Sequence, residues 1–257
     1  ESCGEIGKRL NLVIGPVAVW DCALSVLSMG ELEVETVARP KHGLVLRTLH
    51  GTNLGTLSED GSSIDSLVSI EPTRLDIIYS ENGSTMLCVE GETESICVIR
   101  DPETGKLIHE LAKSEPGMPE ARVSHVALSP SGQYALTWCR RSPDPRGNLT
   151  VFDTKSGSLV AVFNQKVFDA EHWPSIEFSD DESLAIRVSG QNINIYEGCK
   201  FSETPTSRIS VSDIHSASLA KGPTPQKLGV FVLGKKGQPS KMSLMTLDGS
   251  VLSSQSS

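Results

Sequence analysis

Three segments of this chain repeat one pattern, and their serines stand 49 and 50 residues apart. The first is Tyr79-Ser80-Glu81-Asn82-Gly83-Ser84-Thr85-Met86-Leu87. The second is Leu128-Ser129-Pro130-Ser131-Gly132-Gln133-Tyr134-Ala135-Leu136. The third is Phe178-Ser179-Asp180-Asp181-Glu182-Ser183-Leu184-Ala185-Ile186. Each holds an apolar residue, a serine, a polar turn and an apolar strand. The alternating run before the serine, as in His125-Val126-Ala127-Leu128, suits a half-buried strand. The serine supplies side-chain-to-backbone bonds and the glycine tolerates positive φ, so the chain reverses into a hairpin.

A second element follows each time. Ile96 to Asp101 leads through Pro102-Glu103-Thr104-Gly105 into Lys106-Leu107-Ile108. Leu149 to Asp153 leads through Thr154-Lys155-Ser156-Gly157 into Ser158 to Phe163. In both, Gly follows Asp by four residues. Asn192 to Glu197 takes that place in the third unit, with a shorter turn. Two hairpins per unit make four antiparallel strands in about 40 to 50 residues, the size of one β-propeller blade. The pattern therefore predicts an all-β, WD40-like β-propeller, with blades at 74–113, 123–166, 173–202 and 209–252. Residues 44–70 look like strands of an incomplete unit. Residues 1–43 form an N-terminal extension that fits no unit, although Val17-Ala18-Val19-Trp20-Asp21 imitates the Trp-Asp strand ending of such repeats. The serine-rich 253–257 reads as a frayed tail. Four or five blades are few for an architecture that must close on itself, so the chain reads as part of a larger propeller or complex.

Composition narrows the function. The chain has 257 residues, 38% apolar and 21% charged, which suits a globular protein. No run approaches the roughly 20 apolar residues of a membrane-spanning helix, and the sequence shows no secretory signal pattern. These features lead us to expect a cytoplasmic protein. The formal net charge of −9 argues against coating nucleic acid by bulk electrostatics. The charge is uneven, however: residues from Lys200 onward carry +4 and the first 199 carry −13.

Catalytic and metal constellations are missing from the sequence. Six cysteines form no Cys-x-x-Cys pair and read as small buried hydrophobes. Thr104-Gly105-Lys106-Leu107 lacks the other residues of a phosphate-binding loop and reads as a hairpin turn. There is no metalloprotease helix motif and no nucleophile elbow. Asp180-Asp181-Glu182 reads as a solvated turn rather than a metal site. The six histidines are scattered, and His109 and His125 suit structural roles. Trp138 and Trp173 suit packing between blades. Asn82-Gly83-Ser84 and Asn148-Leu149-Thr150 match the glycosylation sequon by chance. No cofactor is expected.

The basic residues are more suggestive. Arg140, Arg141 and Arg146 lie in a loop between two strands of one blade, and Lys235, Lys236 and Lys241 flank a comparable loop further on. Loops on a rigid scaffold are where binding residues concentrate. These six are the candidate RNA-phosphate contacts, set against ordinary solubilising charge.

The order of motifs resembles a known family. His172-Trp173-Pro174-Ser175-Ile176-Glu177-Phe178-Ser179 is similar to the Trp-Pro hairpin of eukaryotic translation initiation factor 2A. Val160 to Lys166 looks like the strand leading into it. Lys227-Leu228-Gly229-Val230-Phe231-Val232, followed by Gly234-Lys235-Lys236-Gly237-Gln238-Pro239-Ser240, resembles that family's next blade. The resemblance covers residues 75 to 247 and implies a non-enzymatic propeller scaffold that binds the small ribosomal subunit, initiator tRNA and mRNA, alongside other initiation factors. Initiation factor 3 subunit b also carries a Trp-Pro hairpin at this place, and a general WD40-type interaction scaffold is the reading from another class. A hydrolase-linked propeller would need a nucleophile domain.

Overall fold

The structure is a computed structural model. It describes residues 11–14, 18–20, 44–48, 51–58, 63–75, 77–91, 96–111, 123–140, 146–165, 168, 170–201, 204–220, 227–235 and 238–256. Most of residues 1–43, with Arg141, Lys236 and Ser257, lie outside the described residues. Every regular element among the described residues is a β-strand.

The chain divides into two compact units: Glu1–Leu128 with Gly132–Asn164, and Ser129–Ser131 with Gln165–Ser257. The first unit opens with β1 (Asn11–Ile14), β2 (Ala18–Trp20), β3 (Leu44–Thr48), β4 (Gly51–Leu57) and β5 (Ile64–Ile70). These form one sheet in the order β2-β1-β3-β4-β5. Two strands of the N-terminal extension thus pair into this sheet, with Leu12 opposite both Trp20 and Leu46. The second sheet holds β6 (Ile78–Tyr79), β7 (Met86–Glu90), β8 (Ile96–Arg100) and β9 (Leu107–Leu111). The third holds β10 (Val123–Leu128), β11 (Tyr134–Cys139), β12 (Leu149–Asp153) and β13 (Leu159–Phe163). In both, neighbours in sequence are antiparallel neighbours in space. This is the up-and-down order of a propeller blade.

All five residues of β7 and all six of β11 are buried. Successive side chains in a strand point to opposite faces, so a strand covered on both sides reads as a continuous apolar run. Met86 and Cys88 pack with Val45, Leu54, Ile70 and Val98. Leu87 and Val89 pack with Ile99, Val126, Ala135 and Phe152. Among the apolar residues sits one charged pair. Arg100 donates to both carboxylate oxygens of Glu90, at 2.5 and 2.8 Å, and to the Gly105 carbonyl at 2.7 Å. The Glu90 bond holds the guanidinium pKa above its ordinary value. A buried pair is tolerated when its remaining donors are satisfied in this way.

The second unit repeats the plan. One sheet holds β14 (Glu177–Phe178), β15 (Leu184–Ser189), β16 (Asn192–Glu197) and β17 (Ser207–Ser210). The other holds β18 (Ile214–Leu219), β19 (Lys227–Val232), β20 (Lys241–Thr246) and β21 (Val251–Ser256). Their shared core is Leu184, Ile186, Ile193, Ile195, Ile209, Leu219, Leu228, Val230 and Met245. The chain is therefore an all-β, partial β-propeller.

Two boundaries differ from the sequence expectation. The sheet expected to end at 202 gains β17, which pairs with β16 through Ile193–Ile209. The stretch Ser-Arg-Ile-Ser offers a single apolar residue, too little for a visible period. The serine-rich tail expected to fray is instead paired: Ser253 and Ser254 lie opposite Leu244 and Ser243. All six residues of β21 are exposed, so this outer strand is held by its backbone ladder and shows no apolar signature.

Candidate functional site

Each four-stranded sheet has two unlike ends. At one end the first strand turns into the second, and the third into the fourth. At the other end the second strand runs into the third, and the chain enters and leaves the sheet.

The first end is built from the repeated residues. Ser80 donates to Asn82 at 2.7 Å and accepts the Thr85 amide at 3.0 Å. Ser179 donates to Asp181 at 2.6 Å and accepts the Leu184 amide at 3.0 Å. At the partner turns, Asp101 Oδ1 accepts the amides of Glu103 and Thr104, and Asp153 Oδ1 accepts the Ser156 amide and hydroxyl. Hydrogen bonds from Ser156 hold the Asp153 carboxyl below the usual carboxylate range, and those from Ser179 and Ser183 do the same for Asp181. These acids are turn caps, in keeping with the solvated-turn reading of Asp181. The turn glycines are also contact points. Gly105 and Gly157 have φ of 67° and 69°. A Cβ on Gly105 would lie 2.5 Å from Val68, and one on Gly157 would lie 2.8 Å from His109.

The second end carries the basic candidates. Arg140 is exposed just after β11 and Arg146 is exposed just before β12. The loop between them closes on a fixed neck: Cys139 donates to the Asn148 carbonyl, and Asn148 to that of Phe163, each at 3.0 Å. Lys235 and Lys241 are exposed on either side of the β19–β20 loop. Lys235 Nζ is 2.8 Å from Asp213. The Gly234 amide donates to Ser240 Oγ at 3.1 Å, which pins the base of this loop. The arginines stand in the first unit and the lysines in the second. Within each sheet the two sets occupy the same place, the connection between second and third strands.

Beside the lysine loop lies a cleft of about 290 Å³, which the sequence reading missed. Its walls come from the approach to β14 (His172, Pro174, Ser175), the end of β15 (Ile186, Val188) and the start of β18 (Ile214, His215, Ser216, Ala217), with Gln165 at one side. The His172 and His215 rings meet edge to face at 4.6 Å and 87°. His215 also contacts Phe231 at 5.7 Å. Glu177 lines the cleft, but its carboxylate is bound to the structure: Oε1 accepts the Ser218 hydroxyl at 2.8 Å and the Leu219 amide at 3.0 Å. Gln165 Oε1 accepts from buried Arg187 at 2.8 Å. Desolvation lowers the Arg187 pKa. One signal was available in the sequence: His172 and His215 stand about one unit apart, each just ahead of or within the first strand of its sheet.

Other candidates sit in structural settings. His125 packs edge-on against the buried Trp138 ring at 5.7 Å. His109 Nε2 lies 2.9 Å from the Lys155 carbonyl. Trp173, joined to Pro174 by a cis peptide, contacts Phe168 at 5.7 Å. Cys88, Cys97, Cys139 and Cys199 are buried. Burial pushes the thiol of Cys139 up to about 11 and that of Cys199 to about 12. Among the described residues no group of three His, Cys, Asp or Glu side chains could hold a metal, and no helix is long and apolar enough to cross a membrane.

No family model matches the chain. A Schizosaccharomyces pombe protein named eukaryotic translation initiation factor 2A is 28% identical over 206 residues, covering 79% of this chain and 33% of its own length. The Dictyostelium discoideum protein of the same name is 27% identical over 165 residues, covering 63% of this chain and 25% of its own length. A solved structure described as a eukaryotic initiation factor superposes with a TM-score of 0.62 at 26% identity, over 82% of this chain and 53% of that one. The chain thus spans about a third or less of these two relatives and about half of the solved structure.

Proposed function

We propose that the chain is a member of the eukaryotic translation initiation factor 2A family, to which its relatives and the similar solved structure point, and that it serves translation initiation as a non-enzymatic propeller scaffold in the cytoplasm. Its partners on this reading are the small ribosomal subunit, initiator tRNA, mRNA and other initiation factors. The observation that carries the proposal is the sequence match over 79% of the chain, combined with a shared fold. The scaffold works by holding loops still. The doubly buried β11 with its backbone bonds fixes the neck of the Arg140–Arg146 loop, and the Gly234–Ser240 bond that of the Lys235–Lys241 loop, and the exposed cations then meet RNA phosphates. Arg141 and Lys236 add to the two loops in sequence. Cations on two loops give modest, salt-sensitive binding, compatible with an overall charge of −9.

Ribosome-profile fractionation tests this reading. The tagged protein is expected in the small-subunit fractions at low salt, with initiation factors and initiator tRNA among its partners. Its restriction to the ribosome-free top of the gradient at low salt would overturn the reading.

A further inference from the structure

We propose that the cleft between β14–β15 and β18 receives one unpaired base of a single-stranded RNA. The inference rests on the RNA-binding reading above and gives it a place and a chemistry.

The dimensions come first. At about 290 Å³ the cleft lies at the small end of ligand pockets, suited to one planar heterocycle rather than a whole nucleotide or a folded peptide. Its composition fits the same occupant. Two imidazoles at right angles supply aromatic surface, Ile186, Val188 and Ile214 supply an apolar wall, and Ser175, Ser216 and Gln165 supply hydroxyl and amide groups for base edges. Single-stranded RNA is recognised by this combination of stacking and edge hydrogen bonds, and histidine is among the side chains that stack.

Charge separates the base from other ligands. Among the described residues the lining holds no Lys or Arg to receive an isolated phosphate. Among the described lining residues the carboxylate is Glu177, whose Oε1 is held by bonds from β18 rather than left open to a cationic peptide side chain. Phosphate attraction is instead available next door. Lys235 is tied to Asp213, which immediately precedes the cleft residues Ile214 and His215. The strand backbone flanked by Lys235 and Lys241 and the base held in the cleft would then belong to the same short stretch of RNA.

The test is fluorescence anisotropy on the whole chain with short labelled oligoadenylate, oligouridylate and an RNA duplex of equal length. The unaltered protein is expected to bind the single strands more tightly than the duplex. His215→Ala should weaken single-strand binding roughly tenfold, by loss of one stacking contact. His215→Phe, which keeps a ring, should retain most of the affinity. Neither should alter the salt slope, whereas Lys235→Gln should reduce it by about one. Thermal melts of each variant check that the fold is kept. Single-strand binding that survives His215→Ala and His172→Ala would overturn the cleft inference and leave the basic loops standing. A protein that binds none of the RNAs would overturn both. Unchanged RNA binding in these variants, with loss of a protein factor from the small-subunit fractions, would replace the base with a protein partner and also overturn the inference.

Discussion

At the end of each sheet where first strand meets second, polar side chains bond to their own backbone. Ser80, Ser179, Asp101, Asp153 and Asp181 each accept main-chain amides there, and Gly105 and Gly157 press against a neighbouring strand. At the opposite end, Arg140, Arg146, Lys235 and Lys241 are exposed, and His172 and His215 border a cleft. The first end repeats in sequence from unit to unit, because each turn solves the same geometric problem. The second end does not repeat, because a rigid neck leaves its loop free to vary. Repetition marks what the fold requires, and departure from it marks where binding residues can be placed.

The sharpest contrast is between two glycines. A methyl on Gly105 would meet Val68 and Ile70 at 2.5 and 2.8 Å, and φ there is 67°. Gly190, in the β15–β16 turn beside the cleft, has φ of 61° but nothing within 4 Å. Overpacking added to left-handed strain predicts a loss of about 2–4 kcal/mol for Gly105→Ala. Strain alone predicts about 1 kcal/mol for Gly190→Ala. Urea denaturation reads both, and equal losses would break the comparison.

Serines make the same point more gently. Ser179→Ala removes two buried hydrogen bonds from a turn and should cost about 1–2 kcal/mol. Ser175→Ala, at the cleft, should stay within about 0.5 kcal/mol of the parent. A Ser175 loss as large as that of Ser179 would show that the cleft end is also a folding device.

Titration sets an acid and an alkaline limit on stability. Hydrogen bonds lower the folded pKa of Asp153, Asp181 and Asp248 below the ordinary value of 3.8. Such groups contribute stability that is present above that value and lost as pH falls through the folded values. Thermal melts across the acid range should show this decline, and converting the three to Asn should flatten it. On the alkaline side the signs reverse. Cys139 and Cys199 titrate near 11 and 12 when folded, against 9.0 ordinarily, so stability falls as pH rises above 9. Both thiols should resist iodoacetamide at neutral pH until the protein unfolds. Rapid native labelling would contradict their buried placement.

The sequence showed what the backbone needs and little of what only the fold assembles. The repeated serines and the Asp-to-Gly turns were legible because their side chains bond locally, within five residues. Strands β7 and β11 were legible as apolar runs. Strands β17 and β21 were not, since an outer strand covered on one face or neither carries no apolar period. The N-terminal strands were hidden for another reason: β1 joins β3 across a long separation, with β2 paired on its other side, and no local turn announces the β1–β3 pairing. The basic loops could be named from sequence, but the Lys235–Asp213 pair could not. The cleft was the least legible feature, because its walls come from three segments that meet only after folding. Its two histidines looked scattered until their sheets placed them together.

The smallest expected effect on stability belongs to the charge-reversed loops, and it carries the central claim. Arg140→Glu, Arg141→Glu, Lys235→Glu and Lys236→Glu combined should leave the urea midpoint nearly unchanged, since exposed substitutions rarely exceed about 0.5 kcal/mol each. The decisive measurement is co-sedimentation of this variant and the parent with purified small ribosomal subunits across a salt series. The account predicts that the parent sediments with the subunit in a salt-sensitive manner and that the variant stays in the supernatant. Salt-sensitive binding of the variant equal to that of the parent would contradict it.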